Sequence, residues 1–158
     1  MVNVTLQAHM REAADNVLAT MFLCPLVDDP QVQVGRWTDP IIVGLEFQGR
    51  YSHGKCALVT EEATAMALSA TFLCEDGGLS RRSAWEVMCE LANMFCGRFL
   101  GQMDAHESYS LSSPQSLVPG DIGLMHPLHK SMLRTSHGVV LFLVELEADG
   151  PLMQKLNA

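Results

Sequence analysis

Apolar and polar positions along this chain switch between a helical period and a strand period. Over residues 5–23, Leu6, Met10, Ala13, Ala14, Val17 and Met21 recur at helical spacing. Cys24-Pro25 ends that helix, because proline cannot continue it and restricts the residue before it. Residues 25–30 are rich in turn formers, and 31–36 alternate Val32 and Val34 with polar residues, which predicts a short, edge-type strand. Strands are predicted over 41–48 and 51–59, joined at Gly49-Arg50 as a hairpin. Thr60 is placed to cap a helix over 61–73, with Glu61 and Glu62 in its first turn and Ala65, Leu68 and Phe72 on its buried side. A loop over 75–78 leads to the most sharply two-faced stretch, 83–100, where Met88, Leu91, Ala92, Phe95 and Phe99 form one apolar stripe.

Beyond Gly101 the helical signal fades. Residues 106–112 alternate weakly as a strand, 114–121 read as a loop or short strand, and 124–136 show no clean period. The strongest strand pattern is 138–147, followed by an Asp149-Gly150 turn signal and a returning strand over 152–156. The order predicts an α+β fold in one domain, residues 1–158, with an antiparallel sheet packed against three main helices.

Composition narrows the classes of function. With 158 residues, 48% of them hydrophobic, the chain can bury a single substantial core. Ten Lys and Arg against eighteen acids give a net charge of −8, too acidic to neutralise a nucleic-acid backbone. No apolar run approaches the ~18–20 residues of a membrane span. Glu12 and Asp15 lie where a secretory signal would need an apolar core, so the expectation is a cytoplasmic protein. The five cysteines, Cys24, Cys56, Cys74, Cys89 and Cys96, lack paired C-x-x-C spacing and are expected to be buried free thiols. His53, His126, His129 and His137 have no Cys or acid at ligand spacing and read as surface histidines, so no metal site is expected.

The candidate chemistry lies on the second face of 83–100. Glu86, Glu90, Asn93 and Gly97 follow i, i+4, i+7, i+11 and fall in one row opposite the apolar stripe. Asn and Gly cost about 0.5–1 kcal/mol each in a helix relative to Ala. A face needing only solubility would use Lys, Gln and Glu, so Glu90 and Asn93 read as a carboxylate and an amide displayed outward. Gly97 then leaves room for an approaching group. Glu86 is set apart, because Ser83 with Glu86 three residues on forms a capping-box pattern. The first helix repeats this arrangement. Aligning Met10 with Met88 puts Glu12 on Glu90, Asp15 on Asn93 and Ala19 on Gly97, and a second strand pair over 138–157 would match the first hairpin. Two related halves in a pseudo-two-fold domain are predicted.

The stretch ELANMFCGRFL resembles the E-x-x-N signature of the CheX/CheC/FliY family of chemotaxis phosphatases. GRYSHGKCALVTEEATAMAL, SLSSPQSLVPGD and HGVVLFLVELEADG are similar to the CheX branch, so the likeness spans nearly the whole chain. The resemblance implies an enzyme that hydrolyses the aspartyl phosphate of a CheY-type response regulator. Asn93 would orient the attacking water and Glu90 would pair with the partner's lysine. It implies no cofactor of the chain's own, the divalent cation (Mg) being supplied by the response regulator, and it implies a homodimer. Asp15, an anion without an amide NH₂, should leave the Glu12/Asp15 half-site inactive. The alternative is a CheX-like adaptor that binds a phosphorylated receiver without hydrolysing it.

Overall fold

A computed structural model describes residues 4–27, 37–75, 77–126, 128–150 and 152. The elements are α1 (Val4–Met21), β1 (Pro40–Gln48), β2 (Ser52–Glu61), α2 (Glu62–Leu73), α3 (Arg81–Met103), β3 (Ser110–Leu111), β4 (Gln115–Ser116), α4 (Pro119–Gly123), β5 (Leu128–Thr135) and β6 (Gly138–Ala148). One antiparallel sheet runs β3-β1-β2-β6-β5, with β4 also paired to β1. α1, α2 and α3 bury their apolar sides on one face of it, giving the α+β layering that the sequence predicts.

Alternation along the strands assigns the two faces. Ile41, Val43, Leu45 and Phe47 on β1, with Phe142 and Val144 on β6, point into the helix-covered core. Ile42, Ala57, Val59 and Leu143 point the other way, against Met125, Leu117 and Ile122 from the segment that follows α3. The pseudo-two-fold is plain in the sheet: two hairpins, β1–β2 and β5–β6, meet through the antiparallel β2–β6 pair. Each hairpin follows a long helix, and each helix packs on the other half's strands, α3 on β1 and β2 and α1 on β5.

Several expectations change. The partner of β6 is β5, which precedes it, not a strand over 152–156. Leu152 is buried and helical, and the rest of that stretch lies outside the described residues, as does the strand expected over 31–36. β6 sits between β2 and β5, so its apolar length is covered within the chain and gives no reason for a second copy. The strand expected over 106–112 shrinks to Ser110–Leu111, and 114–121 supplies β4 and the start of α4. Thr60 does not cap α2: it belongs to β2, and its hydroxyl donates to the Val139 carbonyl at 2.9 Å. Glu61 takes the cap position without a side-chain cap bond, and its carboxylate accepts the Thr38 and Asp39 N–H groups at 2.9 and 3.2 Å.

α1 ends at Met21, two residues earlier than expected. Leu23 adopts a left-handed φ of 50°, and the Cys24 N–H returns to the Leu18 carbonyl at 2.9 Å. Met21 is therefore 49% exposed while Leu18 and Phe22 are buried, and Phe22 stacks on the half-buried Phe72 at 4.9 Å. Cys74 is exposed at the C-cap of α2, contrary to the expectation that every thiol is buried. His129 is half-buried on β5, in the row facing the helices, not on the surface.

Gly54 marks where β2 lies closest to its neighbours. A Cβ there would collide with the Glu145 backbone carbonyl and sit 2.9 Å from the Phe47 ring. The sheet offers no flexible atom to yield, so Gly54→Ala is expected to lower unfolding free energy by about 1–3 kcal/mol. Urea denaturation against wild type measures it, and an unchanged midpoint would contradict the collision.

Candidate active site

α3 is held at its start by contacts from distant parts of the chain. Ser80 is its N-cap, the hydroxyl accepting from the Ser83 N–H at 3.1 Å. Arg81 pairs with Glu62 of α2 at 2.8 Å and with Asp39 at 3.1 Å, and donates to the Pro40 carbonyl at 3.2 Å. One guanidinium thus ties the entry of α3 to the starts of α2 and β1. The Ser83–Glu86 capping box does not form: both residues lie inside the helix, and Glu86 pairs with Arg82 at 3.3 Å in an i,i+4 contact. Behind the helix, Phe95 meets Phe99 at 6.1 Å and Phe142 of β6 at 4.4 Å. Met88, Leu91, Ala92, Phe95 and Phe99 are all buried.

With its inner face fixed, α3 presents the opposite row outward. Glu86, Glu90 and Gly97 are exposed and Asn93 is half-buried. Among the described residues neither the Glu90 carboxylate nor the Asn93 amide has a hydrogen-bond or ion-pair partner. Glu86, in contrast, is already paired. A Cβ at Gly97 would meet nothing within 4 Å, and the same holds at Gly101, which extends the row by another turn because α3 runs on to Met103, beyond the residue 100 at which the sequence ends it. Internal packing therefore does not require glycine at 97, although glycine costs a helix about 1 kcal/mol. Neither Glu90 nor Asn93 lines the cleft of about 430 Å³ bordered by Glu46, His53, Lys55 and Glu145, on the sheet side away from the helices. They stand on an open helical face, which suits a macromolecular partner better than an enclosed small molecule.

The half-buried Cys89 lies on the flank of this row. Burial first, and then the Glu90 and Glu86 carboxylates, push its thiol up to about 11. At pH 8 its thiolate fraction is then about a hundredfold below that of an ordinary thiol. Mapped alkylation is expected to label the exposed Cys74 at pH 8 and Cys89 only as pH approaches 11, with Glu90→Gln moving the onset lower. Equal labelling of the two at pH 8 would contradict this assignment.

The matching face of α1 differs. Glu12 and Asp15 are both exposed, but Asp15 Oδ1 lies 3.5 Å from the Leu26 N–H, a long contact to the chain leaving the helix. Leu26 bridges to Thr135 and the Val27 N–H donates to the Arg134 carbonyl, fastening that chain to β5. Among the described residues no group of three metal-ligating side chains forms, and no helix is long and apolar enough to cross a membrane.

Two hairpins joined into one sheet, three helices on one side and a carboxylate and amide displayed on the outer face of α3 define a CheC-like α+β domain. The sequence profile described as chemotaxis phosphatase CheX matches residues 41–136, and the chain belongs to that family. No curated protein matches the chain by sequence. Among solved structures, a CheX from Desulfovibrio desulfuricans is similar at 16% identity and TM-score 0.68, covering 91% of this chain and 100% of its own. A CheX from Vibrio vulnificus gives 16% identity and TM-score 0.69, covering 93% and 99%. The CheX of Borrelia burgdorferi, solved as a complex with CheY, BeF₃ and Mg²⁺, gives 14% identity and TM-score 0.60, covering 89% and 96%.

Proposed function

We propose that this chain is a protein phosphatase that hydrolyses the aspartyl phosphate of a CheY-type response regulator in chemotaxis or a related two-component pathway. The observation that carries the reading is the Glu90 carboxylate and Asn93 amide, without a partner among the described residues and three residues apart on the outer face of α3, in a chain of the CheX family. The Borrelia complex supports the choice of partner. An acyl phosphate is already activated, and the receiver holds its own divalent cation. The phosphatase has only to place water in line with phosphorus, which is catalysis by positioning.

The Asn93 carbonyl accepts a hydrogen from that water, and its NH₂ donates to a phosphoryl oxygen. The water oxygen bonds to phosphorus, the P–O bond to the aspartyl carboxylate breaks, and the proton leaves on inorganic phosphate. Glu90, on the same face, pairs with the receiver's lysine, so both groups enter the partner's site together. The α1 face takes no part in hydrolysis, since Asp15 would set a carboxylate against the anionic phosphoryl group and has no NH₂ to donate. A cytoplasmic setting and a homodimer belong to the same proposal, the dimer resting on the family resemblance alone.

The test follows the decay of a phosphorylated CheY-type receiver with and without this protein. Faster release of inorganic phosphate is expected. Tight binding with an unchanged lifetime would instead establish the adaptor reading.

A further inference from the structure

Gly97 is exposed on the outer row of α3, and nothing inside the fold asks for it. A Cβ there would meet nothing within 4 Å, so alanine would fit and would be the better helix former. What the glycine provides lies outside the fold, and its place in the row says what it is. Helical side chains lean toward the N-terminus, over the turn before their own Cα. A side chain at position 97 would therefore lie back against Asn93.

The neighbours of Asn93 three and four residues away on the helix are Cys89, Glu90, Cys96 and Gly97. Cys96 is fully buried and turned into the core. Cys89 and Glu90 lie on the N-terminal side, toward which the Asn93 amide itself leans. Position 97 is thus the neighbour from which a side chain would cover the amide on its outward, C-terminal side. Glycine leaves that side bare, and the amide has no partner among the described residues. The matching position on α1, beside Asp15, does carry a side chain: it is the half-buried Ala19.

We infer that Gly97 is a positioning residue that acts through Asn93: by carrying no side chain it keeps the amide open to the water and the phosphoryl group, and a side chain placed there shields the amide according to its size. What the open amide does rests on the phosphatase reading. The cover itself is read out chemically and stands or falls apart from hydrolysis.

The first arm of the experiment compares Gly97→Ala and Gly97→Leu with the wild-type full chain, by phosphate release from a phosphorylated CheY-type receiver and by thermal unfolding. Gly97→Ala is expected to raise the melting temperature by about 2–4 °C, because a helical glycine is lost from a domain of this size. It should lower release about threefold, and Gly97→Leu about tenfold or more without a fall in melting temperature. A residue that only supported the fold would move both quantities in the same direction. In the second arm, Asn93→Cys sets a thiol where the amide stands, and its mapped alkylation at about pH 8 is timed against the exposed Cys74. Adding Gly97→Leu should slow that alkylation about fivefold, whereas adding Gly101→Leu, whose side chain would lie back over residue 97, should leave it as it was. The inference is overturned if Gly97→Leu leaves the labelling unchanged, if it releases phosphate as fast as an active wild type, or if Gly97→Ala lowers the melting temperature. A wild type that never shortens the phosphate's lifetime overturns the phosphatase reading alone, and the labelling then decides the cover by itself.

Discussion

Asn93→Ala is expected to lower the rate at which this protein dephosphorylates a CheY-type receiver by about a hundredfold or more, which corresponds to about 2.7 kcal/mol of lost transition-state stabilisation. The magnitude follows from what the amide is asked to do. In a reaction with a good leaving group and a metal already in place, the water's position is nearly the whole contribution of the phosphatase, so removing its acceptor removes most of the catalysis. Asn93 is half-buried and has no partner among the described residues, so the fold loses no hydrogen bond on substitution. Alanine is also the better helix former, and the melting temperature should stay level or rise slightly. Asn93→Asp is the sharper variant. It is nearly isosteric, it recreates on α3 the residue that α1 carries at Asp15, and it should be as inactive as alanine because it replaces a donor with an anion. Single-turnover release of inorganic phosphate measures both. If either variant turns over at the wild-type rate, Asn93 does not place the water.

Much of this site was legible in the sequence because it lies on a helix with a strict period. The inward residues Met88, Leu91, Ala92, Phe95 and Phe99 are all apolar, so the outward row opposite them is fixed by geometry alone. The hairpin of β1 and β2 was legible for the same reason. β5 was not, because its inward positions include His129, Ser131 and Thr135 beside Leu133, and a polar residue at a buried position erases the alternation that marks a strand. Its turn is equally unmarked: Ser136 and His137 form the two-residue loop, closed by Thr135 Oγ1 donating to the Gly138 carbonyl at 2.8 Å and accepting from the His137 N–H at 3.1 Å. The Arg81 anchor joins residues far apart in the chain, Asp39, Glu62 and Arg81, and no local pattern points to it. Glu86 was set aside from the row as a helix cap, and that cap does not form. Its partner is Arg82, one turn earlier, in place of the expected helix cap.

Phe95→Ala should do the reverse of Asn93→Ala. Phe95 is 1% exposed, lies on the inner side of α3, and its ring touches Phe99 on the same helix and Phe142 at the centre of the sheet. Truncation deletes the aromatic bridge between the site helix and β6 and leaves a cavity that two fixed rings cannot close, at a cost of about 3–5 kcal/mol. That is a large share of the ~5–15 kcal/mol by which a domain of this size is stable. A large drop in melting temperature and in the denaturant midpoint is therefore expected. Phe95→Leu refills most of the space and should recover more than half of the loss. Asn93 and Glu90 lie on the far side of the helix, and Arg81 and Ser80 hold its start independently of Phe95. Per folded molecule, hydrolysis by Phe95→Ala below its transition temperature should stay within a few-fold of wild type. Denaturation curves together with phosphate release on the same samples measure both quantities. Were Phe95→Ala to lose hydrolysis while staying as stable as wild type, the inner and outer faces of α3 would not be the separate supports, one for the fold and one for the chemistry, that their opposite burial implies.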